Sequence, residues 1–190
     1  TSNVKKYMLR LFLFAIISEI PFNLIMGSSV FYPFHQNVLW TFLLGVLSIQ
    51  IIEKAKKKQK KWISFFVVCL VLLMDFLLGT ITMVDYNAAG ILTVLLFYFF
   101  RKKTWISFAA QLVGMYYLNV AMLGNLYYPV TILGHHFEIA QQSFALLALI
   151  PIWLYHGEQG YHSKWFKYFC YAFYPVHFLI LFVIWQWRIR

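Results

Sequence analysis

The sequence predicts an all-α fold, a polytopic bundle of transmembrane helices. Hydrophobic residues make up 62% of the chain and charged residues 12%, against about 45–50% apolar and about 25% charged residues in an ordinary soluble domain. The apolar residues fall in repeated blocks divided by short polar segments, as in proteins that cross a bilayer several times. The basic residues cluster in alternate loops. We therefore expect one integral membrane domain over residues 1–190, and we exclude a soluble nucleic-acid-binding protein despite the net charge of +10.

Seven apolar blocks predict seven spanning helices, with ends uncertain by a few residues. The blocks lie at 7–26, 38–53, 62–83, 88–100, 105–123, 137–155 and 165–187. The block at 88–100 is short for a full crossing, so we expect its neighbours to bury part of it or its ends to lengthen it.

The basic loops predict the orientation of the bundle. They precede the first block and follow the second, fourth and sixth, with Lys5, Lys6, Arg10, the run KAKKKQKK (54–61), Arg101, Lys102, Lys103, Lys164 and Lys167. The loops at 27–37, 83–88 and 124–136 contain no Lys or Arg. This alternation follows the positive-inside rule and places the N-terminal end of this chain in the cytoplasm. Arg188 and Arg190 then end the last span on the outer side.

Glu19, Asp75 and His177 lie in the interior of predicted spans and are the candidate catalytic residues. Glu19 lies about two thirds along the first span, and Asp75 and His177 lie near the middle of the third and seventh. Carboxylates and imidazoles within a membrane are candidates for function, although interhelical polar pairs also hold bundles together. We expect Glu19 and His177 to face one internal cavity in which His177 is the nearest group able to supply a proton to Glu19.

Further polar residues lie beside Glu19 and at the two rims of the bundle. Asn23 follows Glu19 by four residues on the same side of the helix, and Pro21 and Pro175 are able to bend their helices and open a cavity. The outer rim carries His35, Gln36, Asn37, Asp85, Asn87, His135, His136, Glu138, Gln141 and Gln142. The inner rim carries Glu53, Gln111, His156, Glu158, Gln159 and His162.

The tryptophans and cysteines carry less information about function. Trp40, Trp62, Trp105, Trp153, Trp165 and Trp185 lie near span ends and are typical of the interfacial aromatic belt. Cys69 and Cys170 lie within apolar spans, which disfavours a disulfide or a metal site, and we expect no metal.

Five segments in this order resemble the TraX family of bacterial membrane proteins. They are SEIPFNL (18–24), QNVLWTFLLG (36–45), DYNAAGILTVLLFYFFR (85–101), QQSFALLALIPIWLYHGEQG (141–160) and FYPVHFLILF (173–182). The family is named for a conjugative-plasmid protein that acetylates the N-terminus of pilin. The resemblance implies a multi-pass protein of the bacterial cytoplasmic membrane, surrounded by lipid. It also implies transfer of an acetyl or other acyl group from cytosolic acyl-CoA to an amine or hydroxyl acceptor at or beyond the membrane, such as a pilin-like protein or an envelope glycan.

On this interpretation the polar residues line a tunnel across the bundle. Arg101, Lys102 and Lys103 would meet the phosphates of acyl-CoA, while Glu19, His177 and Asp75 would act inside. The expected substrate-binding residues are Asn23, Gln36, Asn37, Asp85, Gln141 and Glu158. His156 would lie beside Glu158 at the inner mouth.

The sequence departs from the family at its beginning. Members usually start with about two further spans, the first of which carries an Asp-His pair that resembles a catalytic motif. These 190 residues contain no such dipeptide and open with TSNV, so we expect the chain to lack about two N-terminal spans.

Two other functions remain open, a proton-coupled transporter and a non-enzymatic assembly factor for the cell envelope. A transporter would favour inverted repeats, and no convincing self-similarity between the halves is found.

Overall fold

The computed structural model of the chain describes residues 3–132, 135–158, 160–161 and 163–189. Gln159, His162 and Arg190, which the sequence placed at the rims of the bundle, lie outside the described residues. The elements in chain order are α1 (Val4–Gly27), α2 (Val38–Lys58), α3 (Lys61–Ile81), α4 (Asn87–Phe99), α5 (Trp105–Tyr116), a π-helical turn (Tyr117–Met122), β1 (Tyr127–Ile132), β2 (His135–Ala140), a 3₁₀ helix (Gln141–Ala148), α6 (Leu149–Leu154) and α7 (Lys164–Ile189).

The predicted all-α bundle is confirmed, and its helices begin at capping residues that the sequence supplies. The side chains of Asn3, Asn37 and Thr104 accept hydrogen bonds from backbone N–H groups in the first turns of α1, α2 and α5. Such bonds satisfy N–H groups that have no partner inside the helix. Within the described ranges, four helices are long and apolar enough to cross a membrane, namely α1, α2, α3 and α7. The chain is therefore a membrane protein.

The remaining predicted spans are also helical, but they are shorter. The helix α4 has 13 residues, as expected for a short block, and α5 continues into the π-helical turn as far as Met122. The sixth segment also has few residues, but its first part is a 3₁₀ helix, which is longer per residue than an α-helix. Eight residues of 3₁₀ helix followed by six of α-helix extend about 25 Å, because a 3₁₀ helix rises by about 2.0 Å per residue.

The predicted sixth span at 137–155 is wrong at its beginning. Residues His135–Ala140 form a β-strand that pairs with Tyr127–Ile132 in an antiparallel hairpin, with Tyr127 opposite Ala140. An open hairpin has unpaired backbone groups that hydrocarbon cannot satisfy. It must therefore lie outside the membrane core, and the crossing starts after Ala140.

Contacts between helices show the direction in which the segments run. Phe14 of α1 stacks on Tyr171 of α7, and Phe22 packs edge-on against Phe178. Both residue numbers rise together, so α1 and α7 are parallel. The backbone N–H of Gln141 binds the carbonyl of Leu126 at one end of the bundle. At the other end, the Lys103 ammonium binds the carbonyl of Trp153. The 3₁₀–α6 segment therefore returns the chain to the basic end before α7 begins.

Small residues allow the central helices to approach closely. A Cβ on Gly79 would lie 2.6 Å from the Cα of Ala88, where α3 meets α4. Ile52, Val71 and Leu95, from α2, α3 and α4, form the buried core near the basic end. The helix α7 lies at the periphery of the bundle and packs chiefly against α1.

Candidate functional site

The carboxylate of Glu19 lies at the interface of α1 and α2. Its Oε2 accepts hydrogen bonds from the Nδ2 of Asn37 and, at 3.0 Å, from the indole N–H of Trp40. Its Oε1 is buried and has no hydrogen-bond partner among the described residues. The two donors fix the position of Oε2 between α1 and α2. Glu19 thus has one oxygen fixed by two donors and one buried oxygen without a partner among the described residues.

Asn37 determines the position of Glu19 and is itself completely buried. Its Nδ2 also donates to the carbonyl of Ala15, at 2.9 Å, and its Oδ1 caps α2 through the N–H of Leu39. One amide therefore fixes the start of α2 against the middle of α1. The side chain of Ala15 is completely buried, and its small size allows the two backbones to approach.

Two more polar residues of α1, Ser18 and Asn23, are buried near Glu19 in the sequence. Ser18 is completely buried, and its hydroxyl oxygen has no hydrogen-bond partner among the described residues. The Nδ2 of Asn23 donates to the carbonyl of Val30, at 3.2 Å, and its Oδ1 is equally without a partner in the described part of the chain. Buried polar atoms without partners are rare and often mark a ligand or a bound water. The sequence predicted Asn23 and did not identify Ser18.

His177 does not hydrogen-bond Glu19 directly, and the cavity expected between the two side chains stays a prediction. Its Nδ1 lies 3.1 Å from the carbonyl of Phe173 in the same helix. Because a carbonyl only accepts, Nδ1 is the donor in this contact. The ring stacks against Phe173 and touches Phe178. The group of α7 that approaches Glu19 is Tyr174, which lies beside the backbone of Val38 and within electrostatic reach of Glu19.

The outer-rim residues form a clasp between the loop before α2 and the loop before α4. The Nε2 of His35 and the Oδ1 of Asp85 are 3.1 Å apart, within hydrogen-bond distance. The backbone of Gln36 bonds to Met83 and Asp85, and the hydroxyl of Thr41 donates to the carbonyl of Asp85 at 2.8 Å. Burial, followed by the charge of Asp85, raises the pKa of Tyr86 in the same loop. The clasp holds the end of the bundle where Glu19 is found.

Asp75 belongs to another place in the bundle. It is buried, and its Oδ1 accepts a hydrogen bond of 2.7 Å from the hydroxyl of Ser48 in α2. Its Oδ2 has no partner among the described residues. The hydrogen bond joins α2 to α3, which suits a structural polar pair. The structure does not bring Asp75 into contact with Glu19 or His177 within the described residues.

The basic residues after α4 are mostly held by partners within the bundle. Arg101 lies 3.9 Å from Glu53 and stacks over Tyr98. Lys103 binds the carbonyls of Trp153 and Tyr155 at the C-terminus of α6, where a cation is favoured. Lys102 is exposed beside them. With Gln111, the three basic residues border a cavity of about 200 Å³.

Gln111 and Trp153 form a contact that the sequence did not predict. The Oε1 of Gln111 accepts the indole N–H of Trp153 at 2.7 Å, and its Nε2 donates to the carbonyl of Phe100. Trp40 and Trp153 were both assigned to the interfacial belt, but each donates its indole N–H to a side chain inside the bundle.

The side chains of Gln141, His156 and Glu158 are exposed. Within the described ranges, no group of three or more His, Cys, Asp or Glu residues is arranged to hold a metal ion.

These features define a polytopic helical membrane protein with a buried carboxylate at one end of its bundle and basic loops at the other. The chain belongs to the TraX family, because the model of that family, described as TraX protein, matches residues 1–185. The family assignment made from the sequence is thereby confirmed. Comparison with curated proteins and with solved structures gave no match.

Proposed function

We propose that this protein is a membrane acyltransferase that moves an acetyl or other acyl group from cytosolic acyl-CoA to an acceptor on the outer side. Membership of the TraX family supports the proposal. The observation that carries it is the half-free carboxylate of Glu19. Asn37 and Trp40 hold one oxygen, and the other is buried without a hydrogen-bond partner among the described residues. A general base must lie within hydrogen-bond reach of the proton that it removes.

The reaction assigned to this site is a simple acyl transfer. The Oε1 of Glu19 accepts the proton of the acceptor N–H or O–H group, whose N or O atom forms a bond to the thioester carbonyl carbon. The bond from carbon to sulfur breaks, and the removed proton is balanced by protonation of the departing thiolate. The products are the acylated acceptor and CoA. His177 and Asn23 are the residues proposed to orient the acceptor.

The proposed membrane orientation follows from the basic residues. The loops at 54–61 and 101–104 would face the cytoplasm, and the hairpin and the His35–Asp85 clasp would lie outside. This arrangement puts the N-terminal end of the chain in the cytoplasm of a bacterial cell and the phosphates of acyl-CoA near Lys102 and Arg101. Another cavity at this basic end of the bundle is bordered by Lys54, Lys57 and Lys58.

The experiment that tests the function measures release of free CoA thiol from acetyl-CoA by the purified full-length protein in lipid nanodiscs. An acyltransferase releases CoA only when acceptor-containing envelope extract is added, and the acetyl label becomes covalently attached to the extract. A transporter or an assembly factor leaves the thioester intact. Absence of CoA release with every envelope fraction would contradict the proposal.

A further inference from the structure

A further cavity at the basic end of the bundle lies where α2 ends and α3 begins. It has a volume of about 340 Å³ and is lined by Lys56, Gln59, Lys61, Ser64, Phe65 and Val68. The hydroxyl of Ser64 donates to the carbonyl of Ala55 at 3.1 Å, and the same carbonyl accepts the backbone N–H of Gln59 at 2.9 Å. These two bonds fix the start of α3 against the end of α2. The lining shares no residue with the two basic cavities at which acyl-CoA is proposed to bind.

The rim of this cavity is cationic. The lining, which consists of described residues, holds two lysines and no carboxylate. Lys61 is exposed at the first position of α3 and pairs with no carboxylate among the described residues. The ammonium of Lys56 donates to the hydroxyl of Tyr98 at 3.4 Å, and an ammonium group has three N–H donors. Both lysines therefore have donors left for an anion.

The carboxylate of Glu53 does not neutralise this rim. It lies within electrostatic reach of Lys56 but borders another cavity. Its Oε1 accepts the hydroxyl proton of Tyr98 at 2.5 Å and lies 3.9 Å from the guanidinium of Arg101. Glu53 is thus bound by groups of α4 and of the loop that follows α4, and the charge of Lys61 remains at the cavity.

An apolar strip continues from the rim into the membrane span. Lys61, Phe65 and Val68 follow one another at intervals of four and three residues, so they lie on one face of α3. Seven residues of helix extend about 10 Å. The side chain of Phe65 is 65% exposed in a helix that is long and apolar enough to cross a membrane, so it faces the surrounding lipid. A ligand that covers both rim and strip needs an anionic head and a hydrocarbon tail.

From these observations we propose that the cavity binds one anionic phospholipid from the leaflet at the basic end of the bundle. Lys56 and Lys61 bind the lipid phosphate by charge-assisted hydrogen bonds, and an acyl chain lies along Phe65 and Val68. Basic pockets between transmembrane helices are known to bind anionic head groups. A zwitterionic head group is disfavoured because it brings its own cation close to the two lysines. The inference concerns a lipid ligand and does not depend on the proposed acyltransferase function.

The test compares phosphatidylglycerol, which is anionic, with zwitterionic phosphatidylcholine of the same acyl chains. The full chain in neutral detergent is titrated with each lipid, and native mass spectrometry gives the Kd of the first lipid adduct. We expect phosphatidylglycerol to bind about fivefold or more tightly. Lys61→Gln should weaken its binding about fivefold, which is the effect of one lysine at an anionic lipid surface. Lys60→Gln removes the same charge from the neighbouring residue, which does not line the cavity, and should leave binding unchanged.

Two neighbouring phenylalanines and a soluble phosphate test whether the ligand is a lipid. Phe65 lines the cavity and Phe66 does not, although their side chains are 65% and 63% exposed. Phe65→Ala should therefore weaken phosphatidylglycerol binding, whereas Phe66→Ala should not. Glycerol phosphate has the phosphate without the acyl chains and should not displace the lipid.

Three results would overturn the proposal. The first is equal affinity for the two lipids. The second is an equal loss of binding in Lys61→Gln and Lys60→Gln, which would indicate diffuse attraction to the whole basic loop. The third is displacement of the lipid by glycerol phosphate, which would identify a site for a soluble phosphate instead.

Discussion

Asn37 donates a hydrogen bond to Glu19 across the interface of α1 and α2, and the same amide group binds the carbonyl of Ala15. One buried side chain thus caps a helix, joins two helices and positions a carboxylate. Glu19 in the interior is tolerated because Asn37 and Trp40 satisfy one of its oxygens. The unsatisfied second oxygen is a cost to folding that suits a site which binds substrate.

The first prediction concerns this joint role of Asn37. Asn37→Leu removes two buried hydrogen bonds and the cap of α2, so the free energy of unfolding should fall by about 1–3 kcal/mol. Thermal unfolding in detergent checks the effect. Asn125→Leu, in an exposed loop, is the control and should change little. Equal stability of both variants would show that the contact to Glu19 contributes nothing.

The second prediction separates Asp75 from the catalytic group. If Asp75 only joins α3 to α2, Asp75→Asn should retain acyl transfer, because an amide still accepts the bond from Ser48. A double-mutant cycle with Asp75→Leu and Ser48→Ala should give a coupling of about 0.6 kcal/mol, as for other polar pairs in membranes. If Asp75→Asn loses acyl transfer while its stability is unchanged, Asp75 acts in catalysis.

The third prediction separates two neighbouring lysines. Lys103 binds carbonyls at the end of α6, so Lys103→Gln should lower the stability of the protein by about 0.3–1 kcal/mol. Lys102 is exposed, and Lys102→Gln should weaken CoA binding, measured by titration calorimetry, without lowering stability. Neutralising Arg101 as well should weaken CoA binding further. If Lys102→Gln binds CoA as tightly as the wild type, with and without neutralisation of Arg101, then Arg101 and Lys102 serve only as determinants of membrane topology.

The fourth prediction concerns orientation in the membrane. Single cysteines are introduced at Ser29 and Gln59 after Cys69 and Cys170 have been replaced. With an impermeant thiol reagent on intact cells, the cysteine at Ser29 should be labelled and that at Gln59 protected, because the Lys-rich loop faces the cytoplasm. The reverse pattern would contradict the proposed orientation. Permeabilised cells are the control and should label both positions.

The course of the helices was predictable because membrane spans are recorded in local composition. Each of the seven apolar blocks contains a helix, and the block at 88–100 proved as short as expected. The hairpin was missed because only the short polar stretch QQS (141–143) separates FEIA (137–140) from the apolar run that follows, so hydropathy alone could not separate strand from span. Its backbone pairing with residues 127–132 is a contact between segments, and composition does not record it.

The sequence predicted the carboxylates of the candidate site, but it did not predict which residues contact them. Depth along a span identified Glu19 and Asp75, since a carboxylate in an apolar run is conspicuous. Their partners Asn37, Trp40 and Ser48 depend on how each helix is rotated about its axis. A serine or a tryptophan in a span has no such signal, because both are common in membrane helices. Depth also linked His177 to Glu19, but equal depth alone does not place two side chains in contact, and their shared cavity stays a prediction.

The measurement that decides the role of Glu19 is acetyl transfer across the membrane of sealed inside-out vesicles. Labelled acetyl-CoA is added outside, where the cytoplasmic face is exposed, and covalently bound label is counted in the lumen. The wild-type chain and Glu19→Gln are compared with Glu138→Gln, which changes an exposed carboxylate of the hairpin. We expect Glu19→Gln to lower the rate by about 100-fold or more, as for loss of a general base, and Glu138→Gln to retain it. Full transfer by a correctly inserted Glu19→Gln protein would contradict the assignment of Glu19 as the base.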